Sequence, residues 1–413
     1  MQRFEAAVIL MKTNSKEYNV LFPDRFIEDD FTSQKLCLPF DDLVINFLNS
    51  LSKALFNDIS VKNYPDVATF AFFCRKSNIT SLKDKYLNND EFKIGRGIVF
   101  HITPSNVPVN FAYSLVSGLL AGNANIIRIP SKQFEQINII INALNSLKKI
   151  LLFKEILNKI VLVGYDKKSI ATDYFSSLCD VRVIWGGDET INTIRKSSIK
   201  PKSFDITFSN RYSFTVINAD EYVKEKNIKK IAIDFFNDTY LFDQNACSSP
   251  HLIIWLGVES NVIKSKNIFW SELNLILNNN YELSDISAID KLTNFYMQSI
   301  DQNFLKRNNP LNNKLWRIEL KELTSKIELY KCAGGYFSEY HAENLKAIDY
   351  IINTKYQTMS YYGLTNDQIN NFLFDIKPKG VDRIVPIGKT TDFSIIWDGF
   401  NLINSLSRII TVS

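Results

Sequence analysis

The chain contains no Cys-x-x-Cys pair, and its five cysteines (Cys37, Cys74, Cys179, Cys247 and Cys332) are widely spaced. That pattern disfavours a structural zinc site, and a disulfide framework does not suit a chain of 413 residues. Only three histidines are present, His101, His251 and His341, so a transition-metal centre would have few ligands. There is no G-x-G-x-x-G, which removes the usual dinucleotide fingerprint. No apolar run reaches membrane-spanning length: Ile137 to Val163 is cut by Lys148, Lys149, Lys154, Glu155 and Lys159. The N-terminal stretch, Met1 to Asn14, lacks a signal peptide's long apolar region and cleavage site, so a cytoplasmic protein is expected. Lys+Arg is 48 against Asp+Glu 44, and a net charge of +4 is too small to argue for nucleic acid. What is there is globular: 46% hydrophobic and 22% charged residues. Such a chain buries a large core, and at roughly 100–200 residues per domain it forms two or three domains.

The first ninety or so residues read as helical, with Leu43, Phe47, Leu48, Leu51 and Leu55 on one face. From Gly97 the pattern alternates. Gly97 to Ile102, Asn125 to Ile129, Lys159 to Val163 and Val181 to Trp185 read as strands. Pro108 to Leu120, Gln133 to about Leu152, Ser169 to Ser177 and Asp188 to Arg195 read as the helices between and after them. Strand–helix alternation predicts a parallel, doubly wound sheet, whose ligands bind at the carboxyl ends of the strands. A second α/β block follows from about Tyr212. It has strands at Phe214–Ile217 and His251–Trp255, a helix near Asn227–Asn237, and a helical, solvated stretch over residues 260–310.

The loops carry the unusual residues. Cys247 lies in Asp243-Gln244-Asn245-Ala246-Cys247-Ser248-Ser249-Pro250, just before an apolar strand. A thiol there can be exposed and firmly held, but an ordinary cysteine is only a few per cent thiolate at neutral pH. On local sequence alone, a buried small hydrophobe is the commoner fate. Asn106 follows the first strand; its amide suits an oxyanion donor, although a turn or cap ahead of the Pro108 helix is the commoner use. Arg128, Ser131 and Lys132 surround Pro130 at a strand's carboxyl end, where basic groups suit a phosphate or an ordinary solvated turn. Gly186-Gly187 after Trp185 permits close backbone approach to a ligand. His251, four residues past Cys247, fits either a proton-transfer group or a structural hydrogen bond.

Three segments together resemble the aldehyde dehydrogenase superfamily, and more closely its acyl-CoA reductase branch, the LuxC-type fatty acid reductases. The first runs Gly97-Ile98-Val99-Phe100-His101-Ile102-Thr103-Pro104-Ser105-Asn106-Val107-Pro108, through Gly122-Asn123, to Arg128-Ile129-Pro130-Ser131-Lys132. The second is Asp243 to Pro250 around Cys247. The third is Gly380-Val381-Asp382-Arg383-Ile384-Val385-Pro386-Ile387-Gly388, with Trp397-Asp398-Gly399 and Ser405-Leu406-Ser407-Arg408 after it.

The resemblance implies a Rossmann-like doubly wound cofactor domain plus an α/β catalytic domain. Residues 1–211 are expected to hold the helical N-terminal region and the cofactor domain, and residues 212–385 the catalytic domain. Residues 386–413 form a segment packing back or at an oligomer interface. It implies Cys247 as acyl-accepting nucleophile and Asn106 as oxyanion donor. It also implies a nicotinamide cofactor contacting Thr103, Pro104 and Ser105, its sugar end near Arg128, Pro130, Ser131 and Lys132, and its phosphates near Trp185, Gly186 and Gly187. The expected reaction is reduction of an acyl-CoA or carrier-bound acyl thioester to an aldehyde. Hydrolytic relatives carry Glu-Leu-Gly-Gly with a general-base Glu; Phe204 to Ser213 has no such motif, which favours reduction over hydrolysis. They also often place an acid where Lys132 stands, and a cation there favours NADPH over NADH. An acyl-activating synthetase is the implied partner, and a homo-oligomer the implied assembly. The rival readings are an aldehyde dehydrogenase producing acids and a non-catalytic subunit that binds acyl chains or partner enzymes.

Overall fold

The structure, a computed structural model, describes residues 17–86, 91–130, 132–302, 305–308 and 312–412. Ser131 and the stretch Met1 to Asn14 lie outside the described residues. The chain divides into two compact units: one up to Ser209 together with the segment from Phe400, the other Asn210–Gly399.

The first unit is built on a six-stranded sheet of β1 (Asn19–Phe22), β3 (Ile98–Ile102), β4 (Ala124–Arg128), β5 (Ile160–Gly164), β6 (Val181–Trp185) and β7 (Phe204–Phe208). Its order is β1-β5-β4-β3-β6-β7, all parallel except β1. β3, β4 and β6 are buried along their whole length, as parallel strands covered on both faces must be. Chain order reverses between β3 and β6, which makes the gap between their carboxyl ends the topological switch point.

The intervening helices follow from apolar spacing. Helix Asp42–Asn57 buries Val44, Phe47, Leu48, Leu51 and Leu55, and the Asp41 carboxylate caps it by accepting from the Leu43 amide. Helix Asn110–Leu120 is nearly all buried and stops at Gly122. Gly122 adopts φ +88°, and a β-carbon there would meet the Cys37 carbonyl oxygen at 2.0 Å, so only glycine fits. Strand β2 (Phe92–Gly95) pairs antiparallel with the strand Ser407–Ile410.

The second unit holds a seven-stranded sheet of β8 (Tyr212–Asn218), β9 (Pro250–Leu256), β10 (Leu305–Asn308), β11 (Trp316–Leu320), β12 (Tyr336–His341), β13 (Tyr356–Tyr362) and β14 (Arg383–Pro386). The order is β10-β11-β12-β9-β8-β13-β14, parallel except for β10. Alternate residues of one strand feed two cores. Leu252 and Ile254 join Phe214, Val216, Trp316 and Tyr356 on one face. Ile253 and Trp255 join Phe235, Phe269, Trp270 and Phe337 on the other. Helix Glu259–Asn280, expected to be part of a solvated stretch, buries Val262, Phe269, Trp270, Leu273 and Leu277 against the second face. Among the described residues no helix is long and apolar enough to cross a membrane.

Candidate active site

In the first unit, the carboxyl end of β3 runs into Thr103, whose hydroxyl donates to the Arg128 carbonyl at 2.7 Å and ties the ends of β3 and β4 together. Pro104 is half-buried; Ser105 and Asn106 are exposed. Arg128 is buried, with its guanidinium over the Tyr165 ring and Nη2 donating to the Tyr165 carbonyl at 3.3 Å. Its Nε has no partner among the described residues. Pro130 is buried, and Lys132 is exposed with Nζ 4.9 Å from the Phe134 ring centroid.

Across the switch point, Trp185 stacks on Phe208 with ring centroids 3.7 Å apart. Its indole N–H donates to Ser114 Oγ at 3.0 Å. Gly186 donates to the Phe208 carbonyl at 3.1 Å, and Gly187 is exposed with open space where a side chain would stand. Ser114 Oγ also bonds His101 Nδ1 at 2.7 Å, and His101 Nε2 bonds Asn125 Oδ1 at 3.1 Å. Burial pushes His101 down to about 4, so this ring is a neutral structural link beneath the loops. Thr103, Trp185 and Gly186-Gly187 thus stand at the β3 and β6 ends of one sheet, with Arg128 to Lys132 one strand further out.

In the second unit, Cys247 sits at the amino edge of its sheet, on the loop that leads into β9. It is half-buried, and the backbone around it is fastened from several sides. Asp243 and Gln244 both adopt left-handed φ, at 51° and 61°. The turn holds because the fully buried Gln244 side chain uses both ends. Its oxygen accepts from the Gly335 and Tyr336 amides at 2.8 and 3.0 Å, and its nitrogen donates to the Pro250 and Tyr336 carbonyls at 2.9 and 3.1 Å. Ser213 Oγ, at the start of β8, donates to the Cys247 carbonyl at 2.7 Å and accepts from the Thr358 amide. Ser249 Oγ donates to the Asp238 carbonyl at 2.9 Å. A thiol on so fixed a backbone loses little freedom when it meets a substrate.

His251 is buried, stacks on Tyr212, and bonds the Cys332 carbonyl through Nδ1 at 3.1 Å; Nε2 has no partner among the described residues. Burial, helped by the Lys331 charge, holds it well below the ordinary imidazole range, so it stands neutral. The same loop region brings in Lys331, which the sequence pattern did not single out. Its ammonium donates to the Arg211 carbonyl at 2.9 Å.

The sequence profile of the family described as acyl-CoA reductase (LuxC) matches residues 80–409. The chain belongs to that family. This LuxC-family chain is 24% identical over 323 residues to the long-chain acyl-protein thioester reductase of Vibrio harveyi, a match covering 76% of this chain and 64% of that protein. It is 26% identical over 166 residues to the protein of the same description from Aliivibrio fischeri, covering 39% of this chain and 32% of the other. The chain therefore spans less than two thirds of the length of these relatives. Among solved structures, the lactaldehyde dehydrogenase of Escherichia coli superposes with a TM-score of 0.63 at 11% identity, covering 93% of this chain and 88% of that one. At that identity the likeness establishes the fold: the LuxC-family chain has the aldehyde dehydrogenase architecture of a doubly wound sheet plus a second α/β sheet.

Gln244, Ser213 and Ser249, which hold the Cys247 loop of this LuxC-family chain, carried no separate signal in the sequence. The left-handed pair at Asp243-Gln244 is invisible without a glycine or asparagine to mark it.

Proposed function

We propose that this chain reduces an acyl thioester to an aldehyde through a thioacyl-enzyme on Cys247, with NADPH preferred over NADH. The observation that carries the reading is the half-buried Cys247 on a loop fixed by Gln244, Ser213 and Ser249, in a chain of the LuxC family. In this scheme the Cys247 thiolate attacks the thioester carbonyl. The Asn106 amide and a backbone N–H hold the developing oxyanion. The donor thiol leaves, and the acyl group stays on Cys247. The nicotinamide cofactor, when bound, supplies the hydride that reduces the thioacyl group, and the thiohemiacetal on Cys247 collapses to the aldehyde. No Glu lies between Phe204 and Ser213 to activate a water, which keeps the acyl group from ending as an acid.

The cofactor reading fits the first unit. Doubly wound sheets take dinucleotides at the switch point, here between the β3 and β6 ends. Thr103, Pro104 and Ser105 border one side, and Trp185, Gly186 and Gly187 the other. The unpartnered Arg128 Nε and the exposed Lys132 offer positive charge near Pro130 and Ser131, which suits the 2′-phosphate of NADPH. The acyl donor is a CoA or carrier thioester. An acyl-activating synthetase is the proposed source of the acyl group, and a homo-oligomer the proposed assembly.

The test is intact mass after mixing the protein with a panel of acyl-CoAs in the absence of cofactor. Wild type should gain one acyl group and Cys247→Ala none. Asn106→Ala should load about 10²- to 10³-fold more slowly. An adduct that persists in Cys247→Ala sinks the scheme.

A further inference from the structure

In the first unit a thiol and an amine from distant segments meet. Cys37 lies in the stretch before helix Asp42–Asn57 and is half-buried. Lys159 immediately precedes β5 and is only 4% exposed. Its Nζ donates to Cys37 Sγ at 3.1 Å and to the Lys35 carbonyl at 2.6 Å. An uncompensated buried charge is costly, so a buried lysine ordinarily faces a carboxylate. Here, among the described residues, a carbonyl and a sulfur take that place. Both backbones are fixed. The Cys37 amide donates to the Gly122 carbonyl at 2.9 Å, and the Cys37 carbonyl accepts from the Gly95 amide at 3.1 Å. The Lys159 amide donates to the Ile156 carbonyl at 3.0 Å, and the Lys159 carbonyl accepts from the Asn125 amide at 2.7 Å. Nitrogen and sulfur are therefore held at the separation of a near-attack pair, roughly 3–3.5 Å.

From this geometry we propose that Cys37 and Lys159 form a reversible covalent cross-link when a peroxide oxidises the thiol. Hydrogen peroxide first gives one oxygen atom to Cys37. The O–O bond breaks, an S–O bond forms, sulfur loses two electrons, and water leaves behind a sulfenic acid. The Lys159 amine, in its unprotonated form, then attacks that sulfur. An S–N bond forms, the S–O bond breaks, and the hydroxyl departs as water with one N–H proton. In sum, one thiol, one amine and one hydrogen peroxide become one sulfenamide and two waters. Backbone nitrogens capture sulfenic acids in the same way. A dithiol reductant reverses the step: thiol and amine are restored, and the reductant's two sulfurs join as a disulfide. The link fastens the stretch around Cys37 to the entrance of β5, 122 residues away in sequence. Cys74 and Cys179 are fully buried and so shielded from the oxidant. The inference does not depend on the role of Cys247.

The test treats the full chain with hydrogen peroxide at about pH 8.5, the ordinary thiol value, and maps its peptides by mass without reductant. Wild type should yield two peptides joined through Cys37 and Lys159, two hydrogens lighter than their sum. Dithiothreitol should return both peptides unmodified. Cys37→Ser should give no such pair. Lys159→Arg keeps the charge and the donors, but a guanidinium is a poor nucleophile. It should also lose the pair and leave a Cys37 sulfenic acid that dimedone traps. A wild-type Cys37 that stays reduced, or that goes on to sulfinic acid beside an unmodified Lys159, overturns the proposal. So does a joined pair of any other mass. The wild-type reading decides by itself, so a variant that folds poorly does not rescue the idea.

Discussion

At the residue scale, the proposed preference for NADPH turns on Lys132. It is exposed, with its ammonium 4.9 Å from the Phe134 ring centroid. Arg128, two residues before Pro130, is buried against Tyr165, with one nitrogen unpartnered. The exposed Lys132 is therefore the cation better able to meet a phosphate. Removing it should weaken NADPH binding about tenfold, the worth of one charge-assisted hydrogen bond, and leave NADH nearly unchanged. Fluorescence titration of Lys132→Ala with both nucleotides checks this. An equal loss for the two would mean that Lys132 positions the loop instead of reading the 2′-phosphate. The residue types in the Cys247 loop were legible because cysteine, the serines and proline occur there as a block. The supporting Ser213 was not, because nothing in a linear string reports that a residue of β8 meets the Cys247 carbonyl.

At the scale of elements, legibility follows the covering of the sheets. β3 to β6 are buried, mostly apolar runs bounded by turn residues, so their positions could be read within a residue or two. β12 and β13 are central strands that were not read, because polar residues interrupt their buried apolar ones. Glu339 in β12 is fully buried and takes hydrogen bonds from Trp255, Trp270 and Arg317 at 3.0, 2.8 and 2.8 Å. In β13, Ser360 bonds Thr215 of β8 at 2.6 Å. Polar groups survive in a core only when matched this way, and the partners lie far along the chain. Gln244 is the same device on a loop. Gln244→Ala would leave two amides and two carbonyls without their partner, a cost of about 3 kcal/mol or more. Urea unfolding should register that loss. Hydrogen exchange should lose protection at the Gly335 and Tyr336 amides in particular, and unchanged protection there would show that the loop does not depend on Gln244.

For the whole molecule, the buried titratable groups set how stability answers to pH. His101 in the first unit is held at about 4, and His251 in the second well below its ordinary value. Both are neutral when folded, yet they take up a proton near pH 6.5 once unfolded. The unfolded chain then binds more protons, so their contribution is present above about pH 6.5 and is lost as the pH falls toward the folded value. Asp238 runs the other way. Burial pushes it up to about 7, against the pull of the Gly388 and Thr390 amides that bond its two oxygens. Its contribution is full below the ordinary aspartate value of 3.8 and disappears as pH rises through about 7. Between about pH 4 and 6.5 two histidines therefore oppose one aspartate. Wild type should lose stability on acidification, and Asp238→Asn, lacking the opposing proton, should lose it more steeply. Urea midpoints at about pH 7 and about pH 4.5, inside that window, test this. A gap between the two proteins that is the same at both pH values would mean Asp238 carries no proton in that range. The outcome reaches the candidate site, because Ser249 of the Cys247 loop bonds the carbonyl of Asp238, whose carboxyl group holds the loop around Gly388. The two amides bond the ionised carboxylate more strongly than the neutral acid, so the loop near Gly388 is held most firmly above about pH 7 and should loosen as Asp238 takes up its proton.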